Sequence, residues 1–342
     1  MMVAHVAAAS PAAAGRRAQG AGMSEVMEKL LGIPSTPCEV AFHKLKMVVD
    51  TPAQSCFGAR GSKTVLHEVS GVFEAGKFTA IMGSSGAGKT SLLNAVGGEA
   101  SGGALSGRIT VNGKSIAFEH MRRLRAFVFQ DDVMMGTMTV REVITMSARL
   151  RLPEGMALAQ KEERVSQVLK ILHLESCAET VMGYNEASNI SGGERKRVGI
   201  AIELVTNPSI IFLDEPTSGL DTFTAYTVCS ILKDLAAAGR TVVATMHQPS
   251  SDVYHMFDNL LLLANGRIMY QDTAAGTHFS KVASTVAFYT QCTRTLTCLK
   301  FRRHRLLRPA RLPVPALHQP RRPHLHAHSQ RPRRHERRRE AQ

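Results

Sequence analysis

The chain has 342 residues, enough for one large domain or two of average size. Its hydrophobic content of 44% and mean hydropathy of −0.07 are typical of a globular protein. No apolar run approaches the roughly 18 residues of a membrane-spanning helix, so we expect a chain that does not itself cross a bilayer. The six cysteines form no CxxC pair, which favours a reduced, cytosolic protein over a disulfide or zinc framework.

The net charge of +14 is concentrated at one end of the chain. Residues 294–342 contain 15 Lys or Arg and two acidic residues, whereas residues 1–293 have a balance of +1. Any argument for binding to nucleic acid or to an anionic membrane therefore rests on this tail alone.

Composition divides the chain into three segments. Residues 1–37 are an Ala-rich, low-complexity segment that resembles either an organelle transit peptide or a disordered lead-in. Residues 38–271 alternate apolar runs with glycines and form the predicted domain. Residues 272–342 lose this periodicity and become rich in Arg, Pro and His. We expect this last segment to be disordered, because it cannot bury enough surface to offset its ordering entropy.

Strand-like segments punctuate the predicted domain. They are residues 40–49, Phe78–Met82, 108–116 with an Asn112-Gly113 turn signal, Ile210–Leu213 and 241–246. The pattern between residues 131 and 189 is mostly helical. Short β-branched runs followed by loops and helices predict an α/β fold with buried parallel strands.

A glycine-rich loop follows the strand at Phe78–Met82 and precedes a helical pattern. Residues 83–90 (GSSGAGKT) match the GxxxxGK[ST] phosphate loop. Glycines let successive backbone N–H groups turn toward phosphates, Lys89 reaches the β- and γ-phosphates, and the Thr90 hydroxyl can bind Mg²⁺. A chance glycine-rich turn is the alternative, and the strand–helix context disfavours it.

Two acidic residues follow the buried run Ile210–Leu213. Asp214 is thereby predicted at the carboxyl end of a strand, where α/β sheets bind ligands. Asp214 can hold Mg²⁺ through water, and Glu215 can polarise an attacking water. An ordinary strand with an acidic turn looks the same in isolation, so the prediction depends on its pairing with the phosphate loop.

Further motifs occur in a fixed order and resemble those of ATP-binding-cassette (ABC) ATPases. Residues 191–195 (SGGER) resemble the signature motif, Gln130 ends an apolar run as a Q-loop does, residues 218–221 (SGLD) resemble the D-loop, and His247 stands at the switch position. The strings QDDVMMGTMTVRE, ISGGERKRVGIAIEL and MHQPSSDVYHMFDN are similar to the G subfamily, the white/scarlet-type half-transporters. The resemblance covers about residues 40–271.

The resemblance implies a P-loop NTPase fold of ABC type, with a mixed β-sheet core, an antiparallel β subdomain and a helical subdomain. It also implies ATP and Mg²⁺ as cofactors, with Glu215 and His247 as catalytic residues and Thr90, Gln130 and Asp214 at the metal. The implied nucleotide-binding residues are Gly83, Ser84, Ser85, Gly86, Ala87, Gly88, Lys89, Thr90, Ser91, Gln130, Ser191, Gly192 and Gly193. In this family the signature residues serve the nucleotide of a second nucleotide-binding domain, so a homo- or heterodimer is implied.

The chain departs from the subfamily at two places. After Gln271 the likeness ends, and the linker and membrane helices of a half-transporter do not follow, which indicates either an aberrant, truncated product or a basic docking tail. Upstream of the phosphate loop, residues 46–49 (KMVV) stand where many ABC domains have an adenine-stacking aromatic residue. Phe42 is the nearest aromatic residue.

The expected function is ATP binding and hydrolysis that powers export of a lipid-like or other hydrophobic substrate. The transmembrane domain must then come from a full-length protein or a partner. The alternatives are a soluble ABC ATPase acting with nucleic acid or ribosomes, which a single cassette disfavours, and a truncated product without function. We expect the chain at the cytoplasmic face of a membrane when it is assembled with a membrane domain, and soluble in the cytosol when alone.

Overall fold

The computed structural model describes residues 36–51, 61–100, 103–131, 133–183 and 189–274. Of the tail for which disorder is predicted, residues 275–342 lie outside this described part, as does the low-complexity segment up to residue 35. Asp272 and Thr273, predicted as the start of the tail, instead end the last strand.

Ten strands and seven helices form the described fold. The strands are β1 (Val40–Thr51), β2 (Gly61–Phe73), β3 (Phe78–Met82), β4 (Ala104–Val111), β5 (Lys114–Ser115), β6 (Arg125–Val128), β7 (Ile210–Leu213), β8 (Thr241–Thr245), β9 (Asn259–Ala264) and β10 (Arg267–Thr273). The helices are α1 (Lys89–Gly97), α2 (Phe118–Leu124), α3 (Val140–Arg151), α4 (Leu158–Ile171), α5 (Gly192–Leu204), α6 (Thr222–Ala237) and α7 (Ser251–Tyr254).

A six-stranded sheet forms the centre, in the order β10-β9-β3-β8-β7-β6. Its strands β3, β6, β7, β8 and β9 are parallel, and β10 is antiparallel to β9. The predicted strands at Phe78–Met82 and Ile210–Leu213 are confirmed. The strand predicted over residues 241–246 is present as Thr241–Thr245. Apolar residues occupy both faces of these strands, as expected for a parallel sheet covered on both sides.

A four-stranded antiparallel sheet, in the order β2-β1-β4-β5, confirms the predicted β subdomain. The stretch 108–116, predicted as one strand, is divided. It contains the end of β4 and the short β5, which pair across the turn at Asn112 and Gly113 because both residues have positive φ.

Two hydrophobic cores cover the two faces of the central sheet. On β7, Ile211 and Leu213 face a core shared with helices α3 to α6, whereas Ile210 and Phe212 face a core shared with α1 and the antiparallel sheet. This alternation follows the period of two along a strand. Helices α3, α4 and α5 pack on one another and form the predicted helical subdomain. The fold therefore has three layers. Helices α3 to α6 cover one face of the central mixed sheet, and α1 together with the antiparallel sheet covers the other.

Within the residues that the structure describes, none of the helices has the length and apolar character of a membrane span.

Candidate active site

The carboxyl ends of three neighbouring strands carry the predicted site. β3 ends at Met82, immediately before the glycine-rich loop, β7 ends at Leu213 before Asp214, and β8 ends at Thr245, two residues before His247. Because β8 pairs in parallel with both β3 and β7, all three segments leave the sheet at the same edge. Parallel sheets bind their ligands at this edge.

The phosphate loop leads directly into α1, whose N-terminus has no side-chain cap. Gly88 is the N-cap residue, with φ of 100°, and no side chain caps the helix. An L-residue is strained at such a φ, which explains the glycine. The first turn contains no acidic residue. The first N–H groups of α1 and the positive end of its dipole are therefore available to an anion.

Lys89 folds back over the loop that precedes it. Its side chain is buried, and Nζ donates hydrogen bonds to the carbonyl oxygens of Gly83, at 3.2 Å, and Ser84, at 3.3 Å. Burial lowers the pKa of the Lys89 ammonium, although the carboxylates of Glu215 and Asp214 act to raise it. The ammonium thus lies within the loop and close to the two acidic residues.

A hydrogen-bond network joins the loop to the acidic residues. The buried Asp214 accepts through Oδ1 from the Thr90 hydroxyl at 3.1 Å and from the Thr245 hydroxyl at 2.6 Å. The Glu215 N–H donates to Thr245 Oγ1 at 2.8 Å, and Gln130 Nε2 donates to Glu215 Oε2 at 3.2 Å. Five polar side chains from four segments of the sequence are therefore joined in one hydrogen-bond network.

The oxygen atoms of this network suit a magnesium ion. The Thr90 hydroxyl, the Asp214 carboxylate and the Gln130 amide are hard oxygen donors. Mg²⁺ is usually held by one or two carboxylates together with waters and substrate phosphates. The residues present therefore fit the metal that the sequence implies.

Glu215 and His247 border one cavity of about 390 Å³ at the sheet edge. Glu215 is half-buried and has a left-handed backbone, with φ of 46°. His247 is exposed. The structure thus brings the two predicted catalytic side chains to the same water-accessible space.

The signature residues belong to a different part of the surface. Ser191 caps α5: its N–H donates to Glu194 Oε2 at 2.8 Å, and its Oγ accepts from the Glu194 N–H at 3.2 Å. The Ser191 hydroxyl also donates to Glu194 Oε2 at 2.8 Å. Gly193 packs against Thr224 of α6. Within the described part of the chain, these contacts do not reach the phosphate loop, so the structure does not join the two predicted groups.

Two residues of the site were not predicted from sequence. Thr245 binds both acidic residues, and the only available signal was a hydroxyl at the carboxyl end of a buried strand. Lys196, also buried, donates from Nζ to the backbone oxygen of Gln130 at 2.9 Å.

Phe42, the aromatic residue nearest to the expected adenine-stacking position, is fully buried against Phe73, with ring centroids 5.4 Å apart. It therefore cannot stack on the adenine base.

The protein-family model described as ABC transporter matches residues 66–218. ABC transporter G family member 13 of Arabidopsis thaliana is 42% identical over 242 residues, covering 69% of this chain and 34% of the relative. The broad substrate specificity ATP-binding cassette transporter ABCG2 of Rattus norvegicus is 39% identical over 235 residues, covering 69% of this chain and 36% of the relative. Protein white of Drosophila melanogaster is 42% identical over 215 residues, covering 62% and 31%.

Solved structures agree on the fold. The dimeric structure of MJ0796, a bacterial ABC transporter cassette, superposes with a TM-score of 0.58 at 24% identity, covering 70% of this chain and all of that one. The curated relatives are longer, and the chain spans about a third of the length of each. Motif order, site geometry and sequence identity agree: the described part of this chain is an ABC-type nucleotide-binding domain of the G subfamily.

Proposed function

We propose that this chain, through residues 38–271, binds ATP with Mg²⁺ on the loop 83–90 and hydrolyses the γ-phosphate bond. The observation that carries the proposal is the network at the sheet edge. It connects Thr90, Asp214 and Glu215 through hydrogen bonds of 3.1 Å or less by way of Thr245, beside a loop whose carbonyl oxygens hold Lys89.

The residues of the site have distinct roles in this proposal. Backbone N–H groups of residues 83–91 surround the phosphates, and the Lys89 ammonium neutralises their charge. Bound Mg²⁺ stabilises charge that develops on the phosphate oxygens. Thr90, Asp214 and Gln130 hold that ion. Glu215 orients the attacking water and accepts its proton, while His247 contacts the γ-phosphate from the other side of the cavity. Catalysis then rests on positioning and charge stabilisation.

A second nucleotide-binding domain completes each site. Ser191, Gly192 and Gly193 lie at the N-terminus of α5, where the helix dipole favours an anion. Their separation from the loop of their own chain supports a role toward the nucleotide of a partner, as does the dimeric assembly of the solved bacterial cassette. In the proposed dimer of this domain, the Ser191 hydroxyl exchanges its hydrogen bond to Glu194 for one to the γ-phosphate on the partner's loop.

The hydrolysis is proposed to drive export of a lipid-like or other hydrophobic substrate. Two of the relatives named above, ABC transporter G family member 13 and ABCG2, are transporters by name, and the described part of this chain corresponds to about a third of their length. The transmembrane domain is therefore proposed to come from the full-length protein or from a partner, with this domain at the cytoplasmic face of the membrane.

The test is ATP hydrolysis by the full chain over a range of protein concentrations. Turnover per molecule should rise with concentration, because each site needs two domains. Glu215→Gln should still bind ATP and lose at least about 100-fold in turnover, since it cannot accept the proton. Lys89→Ala should weaken ATP binding itself. Parental turnover in Glu215→Gln would exclude Glu215 as the base, and parental affinity in Lys89→Ala would exclude the loop assignment.

A further inference from the structure

Thr245 places a buried hydroxyl at the carboxyl end of β8. The side chain is 0% exposed, and β8 has the sequence TVVAT. Taking a hydroxyl out of water without a hydrogen bond is unfavourable, so a threonine at this depth is retained only where its oxygen has partners. Its partners here are Asp214 and Glu215, two consecutive residues of the candidate site that directly follow the neighbouring strand β7.

The chemistry of the partners fixes the direction of both bonds. The backbone N–H of Glu215 can only donate, so Thr245 Oγ1 accepts from it at 2.8 Å. The Asp214 carboxylate can only accept when ionised, so the single hydroxyl hydrogen of Thr245 points to Oδ1 at 2.6 Å. The Thr245 hydroxyl thus donates once and accepts once, and turning the side chain to another rotamer would break these bonds.

These two bonds set two features on which metal binding and water activation depend. Asp214 Oδ1 is held between the hydroxyls of Thr245 and Thr90, which fixes the rotation of the carboxylate. The bond to the Glu215 N–H supports a left-handed backbone, with φ of 46°, that aims the carboxylate into the cavity shared with His247. Such a backbone persists only where the surroundings impose it.

We propose that Thr245 is a positioning residue, which orients Asp214 for Mg²⁺ and fixes the backbone of Glu215 for the attacking water. The inference rests on the proposed function, since it assigns Thr245 to the same site. Outer hydrogen-bond partners of metal ligands commonly control metal affinity in this way.

The test compares Thr245→Val with Thr245→Ser in the full chain. Binding of a fluorescent ATP analogue is measured in EDTA and across a Mg²⁺ titration, followed by turnover. Valine keeps the shape of the side chain and removes the hydroxyl. The Mg²⁺ concentration that gives half of the maximal increase in affinity for the ATP analogue should therefore rise about 10- to 100-fold. Affinity in EDTA should stay at the parental value, because Lys89 and the loop are intact. Serine restores the hydroxyl and should restore the Mg²⁺ dependence.

Thr79→Val is the matched control. Thr79 is also 0% exposed, lies on β3 beside β8, and its hydroxyl has no hydrogen-bond partner among the described residues. The same chemical change there should leave the Mg²⁺ titration unchanged. A change in Thr79→Val as large as that in Thr245→Val would mean a general effect on the sheet and would overturn the proposal.

Further outcomes separate the two hypotheses. ATP binding by the parent together with a parental Mg²⁺ dependence in Thr245→Val overturns the role of Thr245 alone. A parent that binds no ATP overturns the proposed function and this inference with it. Should Thr245→Val lose binding even in EDTA, Thr245→Cys replaces it, since a thiol keeps the volume but is a weak donor. Parental Mg²⁺ dependence in that variant overturns the proposal as well.

Discussion

Gly193 of the signature motif has no room for a side chain. A Cβ atom built at this position lies 2.0 Å from Thr224 Cγ2 on α6, far inside any normal contact. The neighbouring Gly192 differs, because its Cβ would meet only Leu220 Cδ2 at 3.6 Å. Gly193→Ala should therefore force α5 and α6 apart, whereas Gly192→Ala should be tolerated.

The loss of stability expected for Gly193→Ala depends on how firmly Thr224 is held. Its hydroxyl donates to Asp221 Oδ1 at 2.6 Å and its N–H donates to Asp221 Oδ2 at 3.0 Å. The methyl group therefore cannot turn away without losing the hydroxyl bond. Moving it from 2.0 Å to an ordinary contact of 3.4 Å needs a shift of about 1.4 Å, and overpacking of this kind costs about 1–3 kcal/mol. For a domain of this size we expect the Tm to fall by about 2–12 °C.

Thermal unfolding of four variants tests this reasoning. Thr224→Ser removes Cγ2, so the nearest remaining atoms to the added Cβ are Thr224 Cβ at 3.4 Å and Oγ1 at 3.7 Å. Gly193→Ala combined with Thr224→Ser should therefore recover most of the loss, while Gly192→Ala should stay near the parent. A Gly193→Ala protein as stable as the parent, or no recovery in the double variant, would refute the proposed clash.

Two further predictions concern buried groups. Lys196→Met removes the bond to the Gln130 carbonyl and should lower turnover several-fold while ATP affinity is retained, whereas Lys161→Met, which removes a buried lysine bound to the carbonyls of Arg149 and Leu152, should lower only the Tm. Equal turnover in the two variants would contradict a role for Lys196 at the site. Burial raises the pKa of Cys229 to about 12, so iodoacetamide at pH 8 should modify it only after urea unfolding. Peptide mass spectrometry reads this out, and modification of the native protein would contradict the burial.

The sequence was informative where the chain leaves a buried strand. Largely apolar runs that stop at Gly83 and Asp214 predicted β3 and β7, because a strand covered on both faces is apolar at nearly every position. Parallel strands share their carboxyl edge, which explains why motifs separated by more than 120 residues were expected together. Thr90 and Asp214 are indeed hydrogen-bonded.

The strand β2 was not predicted because its apolar period is irregular. Its buried residues Leu66, Val69 and Phe73 are three and four positions apart, a spacing typical of a helix. The pairing of β1 with β2 contains register shifts between Phe42 and Val48, and each shift disrupts the alternation of faces. Partners that act across strands, such as Thr245 with Asp214, depend on strand order, which local pattern does not contain.

A short segment of chain connects the acidic residues of the site with the helix that packs against the signature motif. Glu215 follows β7, and Asp221, six residues later, is the N-cap of α6 and binds Thr224. Thr224 in turn contacts Gly193 of the signature. A displacement of Glu215 when the γ-phosphate is lost can therefore reach the signature helix through this short segment. In the dimer proposed above, that helix serves the nucleotide of the partner. The segment 215–221, together with the packing of Thr224 against Gly193, then offers a short route by which hydrolysis at one site affects nucleotide binding at the other.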